Sequence, residues 1–270
     1  MTEQCLTVSG LEKSYDGRSV LNGLDFEVNR GEIVALLGVN GAGKTTTLEC
    51  VMGLRRPDAG SVRVDGTLAA QLQTGSLPDY LRGRELLELF SRWNGRPVDP
   101  ALAARLGAEG FLERQYRTMS VGQKRRLQLM LALMREPALL LLDEPTAGLD
   151  IEGRIAVHQE ILAKRDQGAA ILLSTHDLTE AKDVCDRLIL LRDGQIAFAG
   201  TPAEFADAAG RPASVCVRTP QGKECLPAAD IAHALAELLQ RLSGRNVPVL
   251  DVWVERGTLE EQFIELTKGA

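Results

Sequence analysis

The sequence predicts an α/β fold with a mostly parallel core sheet, and three observations carry that expectation. Residues 33–37, 139–142 and 188–191 are short continuous apolar runs, and 170–174 is apolar up to its last residue, Ser174; this is the pattern of strands buried on both faces of a parallel sheet. Helical patterns separate them, through about Leu54, over 121–135, over 152–165 and over 178–187. The first run passes straight into a glycine-rich turn. Strands alternating with helices close into a parallel sheet through crossover connections.

The flanking segments read differently. Leu6 and Val8, then Leu24, Phe26 and Val28, alternate with polar residues, as half-exposed antiparallel strands do. Turn chemistry at 57–60 precedes a short strand over 61–65. Helical patterns over 85–93, 101–106 and 121–135 make the stretch of about 74–136 an inserted helical subdomain. Arg192-Asp193-Gly194-Gln195 is a hairpin turn into Ile196-Ala197-Phe198. Near Gly210-Arg211-Pro212 the pattern changes to Val215 and Val217, a helix over 231–242, a strand over 249–254 and a last helix over 259–266. The expected division is therefore one domain over 1–208 and a small α+β domain over 209–270.

Composition excludes several classes. The net charge of −6 gives a nucleic-acid partner no bulk electrostatic support. No stretch approaches the roughly 18 uninterrupted apolar residues of a membrane span. The N-terminus lacks a basic segment leading into an apolar run, so no signal peptide is expected. The five cysteines, Cys5, Cys50, Cys185, Cys216 and Cys225, are odd in number and form no CxxC pair. Free thiols in a reducing compartment are expected, even for Cys216 and Cys225, which are spaced to face one another across a hairpin.

Gly38-Val39-Asn40-Gly41-Ala42-Gly43-Lys44-Thr45 fits G-x-x-x-x-G-K-[ST], with a buried strand before it and a helix after it. Such a turn points successive N–H groups at phosphate oxygens, and the helix adds its positive end. Lys44 would reach the β- and γ-phosphates, and the Thr45 hydroxyl would ligate Mg2+. One hundred residues on, the run 139–142 ends in Asp143-Glu144. Asp143 fits an outer magnesium carboxylate. Glu144, pointing differently, fits a general base for the attacking water.

These residues resemble the ATP-binding cassette (ABC) ATPases. Gly38 to Thr45 is similar to that family's Walker A, and 139–144 to its Walker B. Met119 and then Ser120-Val121-Gly122-Gln123 resemble the LSGGQ signature, Pro145-Thr146-Ala147-Gly148-Leu149-Asp150 the D-loop, and His176 the switch histidine. The resemblance covers about residues 3–205. It implies a P-loop NTPase fold that binds ATP and Mg2+. It further implies that Tyr15 stacks on adenine, that Thr46 joins the phosphate contacts, and that Gln73 connects the subdomains and reaches the metal. His158 and His233 lie in helical patterns and carry no expected chemistry.

In the family, the signature of one subunit completes the ATP site of another. Ser120, Gly122 and Gln123 would thus act across a dimer interface, homo- or heteromeric, with Asp150 linking the two sites. Val121 stands where glycine is typical, and a β-branched residue disfavours positive φ. The same resemblance implies a separate transmembrane permease, docked near 82–93 beside Gln73, and a cytoplasmic location on the inner face of the membrane. Val249-Leu250-Asp251-Val252 and Gly257-Thr258-Leu259-Glu260-Glu261-Gln262-Phe263 resemble the tail of drug and polysaccharide exporter ATPases. Two rivals stand beside the exporter: a soluble cassette serving translation or repair, and an ATP sensor with weak hydrolysis.

Overall fold

The computed structural model describes residues 3–72, 75, 77–207 and 213–255. The chain forms two compact units, residues 1–202 and 203–270.

In the first unit, β1 (Gln4–Tyr15) and β2 (Arg18–Asn29) form an antiparallel hairpin. The strand β3 (Ile33–Leu37), buried at every position, leads through the glycine turn into α1 (Lys44–Val51). The strand β4 (Ala59–Val64) returns to pair with β1, giving a small sheet of order β2-β1-β4. There follow β5 (Leu68–Gln71), α2 (Gly83–Asn94), α3 (Pro100–Arg105), α4 (Val121–Leu133), β6 (Leu139–Asp143), α5 (Ile151–Asp166), β7 (Ala170–Thr175), α6 (Leu178–Val184), β8 (Arg187–Arg192) and β9 (Gln195–Gly200).

The main sheet has the order β5-β6-β7-β3-β8-β9. Its first five strands run parallel, and β9 is antiparallel. Every residue of β3, β6 and β7 is buried, as continuous apolar runs require of strands covered on both faces. One face packs with the antiparallel sheet: Leu6, Val8, Leu24 and Phe26 join Val34, Leu36, Leu139, Leu141 and Leu172 in one apolar cluster. No helix of the described residues is long and apolar enough to cross a membrane.

Several element bounds differ from expectation. The helix α1 stops at Val51 rather than near Leu54. The helix α6 stops at Val184 rather than Arg187, because Asp186 leaves the helix to accept the Ile33 N–H at 2.8 Å, which pins the start of β3. The edge strand β5 was not foreseen: Leu68-Ala69-Ala70-Gln71 has no β-branched or aromatic residue to signal a strand. It forms because β6 offers an open edge, with Leu68 opposite Leu139.

In the second unit, α7 (Pro202–Asp207), β10 (Ala213–Thr219), β11 (Gly222–Ala228), α8 (Ile231–Gly244) and β12 (Asp251–Glu255) follow in order, with a sheet β11-β10-β12. Ala234, Leu238 and Leu242 recur at helical spacing and pack on Val215, Val217 and Ala228. The expected helix over 259–266, and the tail motif over 257–263, lie outside the described residues.

The thiol expectation for one cysteine pair is overturned. Cys216 and Cys225 are direct cross-strand partners, with Cα atoms 4.1 Å apart, and form a disulfide. At that spacing two side chains on the same face of an antiparallel pair meet. Register decided the matter, and the expectation drawn from compartment gave way to it. Cys5, Cys50 and Cys185 are free and buried, and burial pushes each thiol above its ordinary value. Alkylation of denatured, unreduced protein should therefore modify the three buried cysteines, and all five only after reduction, as read by intact mass. Five labels without reductant would remove the bridge.

Candidate nucleotide site

The site begins where β3 ends. Gly38 and Gly43 take φ of 157° and 105°. A Cβ at Gly38 would lie 2.8 Å from the Leu191 carbonyl oxygen, and one at Gly43 would lie 2.6 Å from Leu21 Cδ2. Both close approaches demand glycine. The turn then delivers α1 with Gly43 as its N-cap and no capping side chain, so the amides of its first turn find no side-chain acceptor. Uncapped amides at a helix start form an anion site. The Lys44 ammonium lies folded over the loop, donating to the carbonyls of Gly38 at 2.7 Å and Val39 at 3.3 Å. Burial pushes its pKa below the ordinary lysine value, against the pull of Glu144 and Asp143.

Sheet order brings the other groups to this loop. The strands β6, β7 and β3 are neighbours, with Asp143 opposite Ser174 and Leu37 opposite Thr175. Their carboxyl ends therefore emerge side by side, where open α/β sheets bind ligands. Thr45 Oγ1 donates to Asp143 Oδ2 at 3.3 Å, and the Ser174 hydroxyl donates to Asp143 Oδ1. Glu144 takes a left-handed φ of 52°, so its carboxylate departs from the line of the strand. His176 Nδ1 lies 2.8 Å from Glu144 Oε2.

The resulting cleft has a volume of 710 Å³ and is lined by Tyr15, Asn40, Gly41, Gly43, Lys44, Thr45, Thr46, Asp143, Glu144 and His176, all named from the sequence except as a set. Arg18, Ser19, Val20, Asp193 and Gly194 also line it and were not foreseen. Arg18 to Val20 face the cleft because the β1–β2 hairpin folds over it. Asp193 and Gly194 read as a hairpin turn alone; their role in the rim rests on long-range bonds, Asn22 N–H to Gly194 O at 2.8 Å and Asn22 Nδ2 to Asp193 O at 2.9 Å.

Other expected residues sit elsewhere. Ser120 caps α4 in a reciprocal box with Gln123: Ser120 Oγ accepts the Gln123 N–H at 3.2 Å, and Gln123 Oε1 accepts the Ser120 N–H at 3.1 Å. Gly122 packs under the D-loop, where an added Cβ would come 3.1 Å from the Gly148 carbonyl oxygen. Asp150 caps α5, accepting the Gly153 N–H at 2.9 Å. Ser120, Gly122, Gln123 and Asp150 are not among the residues lining the cleft. Val121 is the first residue of α4 and is absent from the positive-φ residues, so its β-branch meets no backbone conflict there. His158 is structural: its Nε2 lies 3.1 Å from the buried Glu180 carboxylate, which also accepts from Thr146 of the D-loop at 2.8 Å.

Gln73 lies outside the described residues. Its neighbour Gln71 is buried, with neither side-chain polar atom hydrogen-bonded. Gln71 lines a second groove of 740 Å³, together with Leu72, Phe90, Trp93, Gln128 and Leu131.

A triphosphate with a divalent cation fits the donor set of the first cleft. Uncapped amides and Lys44 suit phosphate oxygens, while the Thr45 hydroxyl and the Asp143 carboxylate are hard oxygen donors. A glycine turn from a buried parallel strand into an uncapped helix, faced by carboxylates from a nearby strand, defines a P-loop nucleotide-binding protein. The comparisons narrow the class. Residues 21–147 match the family model described as ABC transporter. The daunorubicin resistance ATP-binding protein DrrA3 of Streptomyces coeruleorubidus is 34% identical, over 99% of this chain and 97% of its own. A Nod factor export ATP-binding protein I of Burkholderia orbicola is 37% identical over 71% and 69%, and the aliphatic sulfonates import ATP-binding protein SsuB 2 of Paraburkholderia xenovorans is 37% identical over 78% and 86%. A solved ATP-binding subunit of an ABC transporter matches with a TM-score of 0.70 at 29% identity, over 87% of this chain and 99% of that one. The chain belongs to the ABC transporter ATP-binding family.

Lys44 supplies a test with a stability sign. Its depressed pKa means the unfolded chain holds that proton more tightly, so this group makes stability rise as pH climbs from the folded value toward the unfolded one. Lys44→Met should flatten that alkaline rise and leave the nucleotide-free fold as stable or up to about 1 kcal/mol more stable. It should weaken nucleotide affinity by at least about tenfold, the loss of a charge-assisted phosphate contact. Thermal melts across pH and nucleotide titration read the two effects.

Proposed function

We propose that this chain is the ATP-hydrolysing motor subunit of an ABC membrane exporter, working as a dimer of cassettes on a separate membrane-spanning partner. The observation that carries the reading is the convergence of Lys44, Thr45, Asp143, Glu144 and His176 on one cleft. Lys44 and the α1 amides hold the phosphates, and Tyr15, at the rim, meets the adenine. Thr45 would hold a magnesium ion, with Asp143 beyond it and Gln73 the further ligand implied by the family resemblance; the ion would supply charge neutralisation to the phosphates. Glu144 takes a proton from the attacking water. His176, hydrogen-bonded to Glu144, orients that carboxylate and faces the γ-phosphate side.

Dimerisation is supported by what the cleft omits. Ser120 and Gly122 sit at a helix start that does not line the chain's own cleft, and the positive end of a helix favours a negative charge placed before it. Val121 and Ile151, at the signature and the D-loop, are 64% and 79% exposed, apolar groups suited to burial against a second subunit. The groove beside Gln71, with Trp93 78% exposed at its rim, suits an inserted segment of the permease. That partner would hold the chain on the cytoplasmic face of the membrane. Export is favoured by the match with the Nod factor export ATP-binding protein I.

Glu144→Gln tests the chemistry. Turnover should fall by about 10²-fold or more, the usual contribution of a general base. Affinity for ATP with magnesium should hold within about threefold, since the amide keeps the shape and a hydrogen bond to His176. Turnover at the wild-type rate would overturn the assignment. Trp93→Glu should leave the ATPase rate of the isolated chain unchanged and reduce its recovery with a co-expressed membrane partner.

A further inference from the structure

The general base proposed above stands on a strained residue. A non-glycine residue at a left-handed φ is strained and persists only where its surroundings hold it. Glu144, at φ 52°, is held at both ends of its backbone. Its N–H donates to the Ser174 carbonyl at 3.0 Å, and its own carbonyl accepts the Ala147 N–H at 3.3 Å. A third bond comes from outside this strand-and-loop region. Arg125 Nη1 donates to the Glu144 carbonyl at 2.6 Å and approaches the Asp143 carbonyl at 3.4 Å.

Arg125 is an unusual group to find there. It is 8% exposed, and among the described residues it forms no ion pair with any carboxylate. Its Nε is buried without a partner. Burial pushes the guanidinium below its ordinary pKa, while the nearby charges of Glu144 and Asp143 push back. An arginine kept only to neutralise a buried carboxylate would contact it directly, in the paired geometry that its donors favour. This one spends its donors on two successive main-chain carbonyls, at the bend where the strand turns out of line. Its position in the chain matters as well. Arg125 is the fifth residue of α4, little more than one turn from the Ser120 cap, so the signature helix itself reaches the catalytic turn of its own chain.

We propose that Arg125 is a positioning residue for Glu144: from the signature helix it braces the left-handed turn that aims the Glu144 carboxylate into the nucleotide cleft. The inference rests on Glu144 acting as the base. It makes two predictions that a merely structural arginine would not. Loss of Arg125 lowers kcat without changing nucleotide affinity, because Lys44 and the α1 amides lie apart from it. The loss also vanishes once Glu144 can no longer act as a base, because Arg125 works through it.

The experiment compares wild type with Arg125→Met, Arg125→Lys, Glu144→Gln and the double variant Glu144→Gln/Arg125→Met. It measures steady-state ATPase rate, affinity for ATP with magnesium, and amide hydrogen exchange of the peptide spanning 139–147. Arg125→Met is expected to lower kcat by about 10- to 100-fold, the penalty of misplacing a reacting group by a fraction of an ångström to an ångström. Nucleotide affinity should stay within about threefold, and the 139–147 peptide should exchange faster. Arg125→Lys, which keeps a donor but not the fork, should fall between, and it decides the same question if Arg125→Met does not fold. The double variant should hydrolyse no more slowly than Glu144→Gln alone. Wild-type kcat in both arginine variants, a loss confined to affinity, or a full multiplicative loss in the double variant overturns the proposal. If Glu144→Gln itself retains wild-type turnover, the base assignment fails with it. If Glu144→Gln is inactive and the arginine variants are not, only the role of Arg125 falls.

Discussion

Everything in the nucleotide site depends on parallel pairing of three adjacent strands. Because β6, β7 and β3 lie side by side with Asp143 opposite Ser174 and Leu37 opposite Thr175, loops separated by about one hundred residues in sequence leave the sheet at one edge. The 3.3 Å contact between Thr45 and Asp143 is the local signature of that register. A slip of one residue in β6 would carry Asp143 to the other face of the sheet and separate it from Thr45. The complete burial of these strands prevents the slip, since it would drive their whole apolar set out of its packing.

The same edge concentrates groups that a fold optimised for stability would avoid. Lys44, Asp143, Glu144 and Arg125 are all buried ionisable residues, and Glu144 adds backbone strain. Partial compensation is local: Lys44 is held by loop carbonyls, Asp143 by Ser174 and Thr45, Glu144 by His176, and Arg125 by carbonyls of the turn. The amides of the first turn of α1 have no side-chain cap, and burial still lowers the pKa of the Lys44 ammonium beside them. An anion with several oxygens relieves both at once, so ligand binding and relief of burial cost are the same event.

The sequence made the core legible because each buried strand was an apolar run ending in chemistry: 33–37 into the glycine turn, 139–142 into Asp143-Glu144, 170–173 into Ser174 and His176. Local rules read such patterns well. What escaped them was set by tertiary pairing. β5 carries no β-branched residue and exists because β6 has a free edge. Arg18 and Asp193 became cleft residues through a hairpin and a turn brought together by Asn22, which no spacing rule could reach. The bridge between Cys216 and Cys225 was visible as a facing pair, but an assumption about compartment outweighed their register. Arg125 carries no local signal of its role, and only the tertiary fold turns its side chain toward the Glu144 carbonyl.

The geometry of α4 links the two ends of the proposed dimer mechanism within one chain. Its N-terminal end, capped by Ser120 and Gln123, lies outside the chain's own cleft, and its flank carries Arg125 to the turn of Glu144. One helix of 13 residues thus has a capped end outside the chain's own cleft and one side bonded to the turn of Glu144. Gly122 beneath Gly148 adds a third attachment, to the loop that follows Glu144. A charge arriving at Ser120 acts on the dipole and the cap of the helix. Any resulting shift of α4 is felt at Glu144, because a 2.6 Å charge-assisted bond to a backbone carbonyl is too short and too directional to absorb much movement. In the dimer proposed above, a contact at Ser120 and the posture of Glu144 would therefore be linked through bonds that lie within each chain.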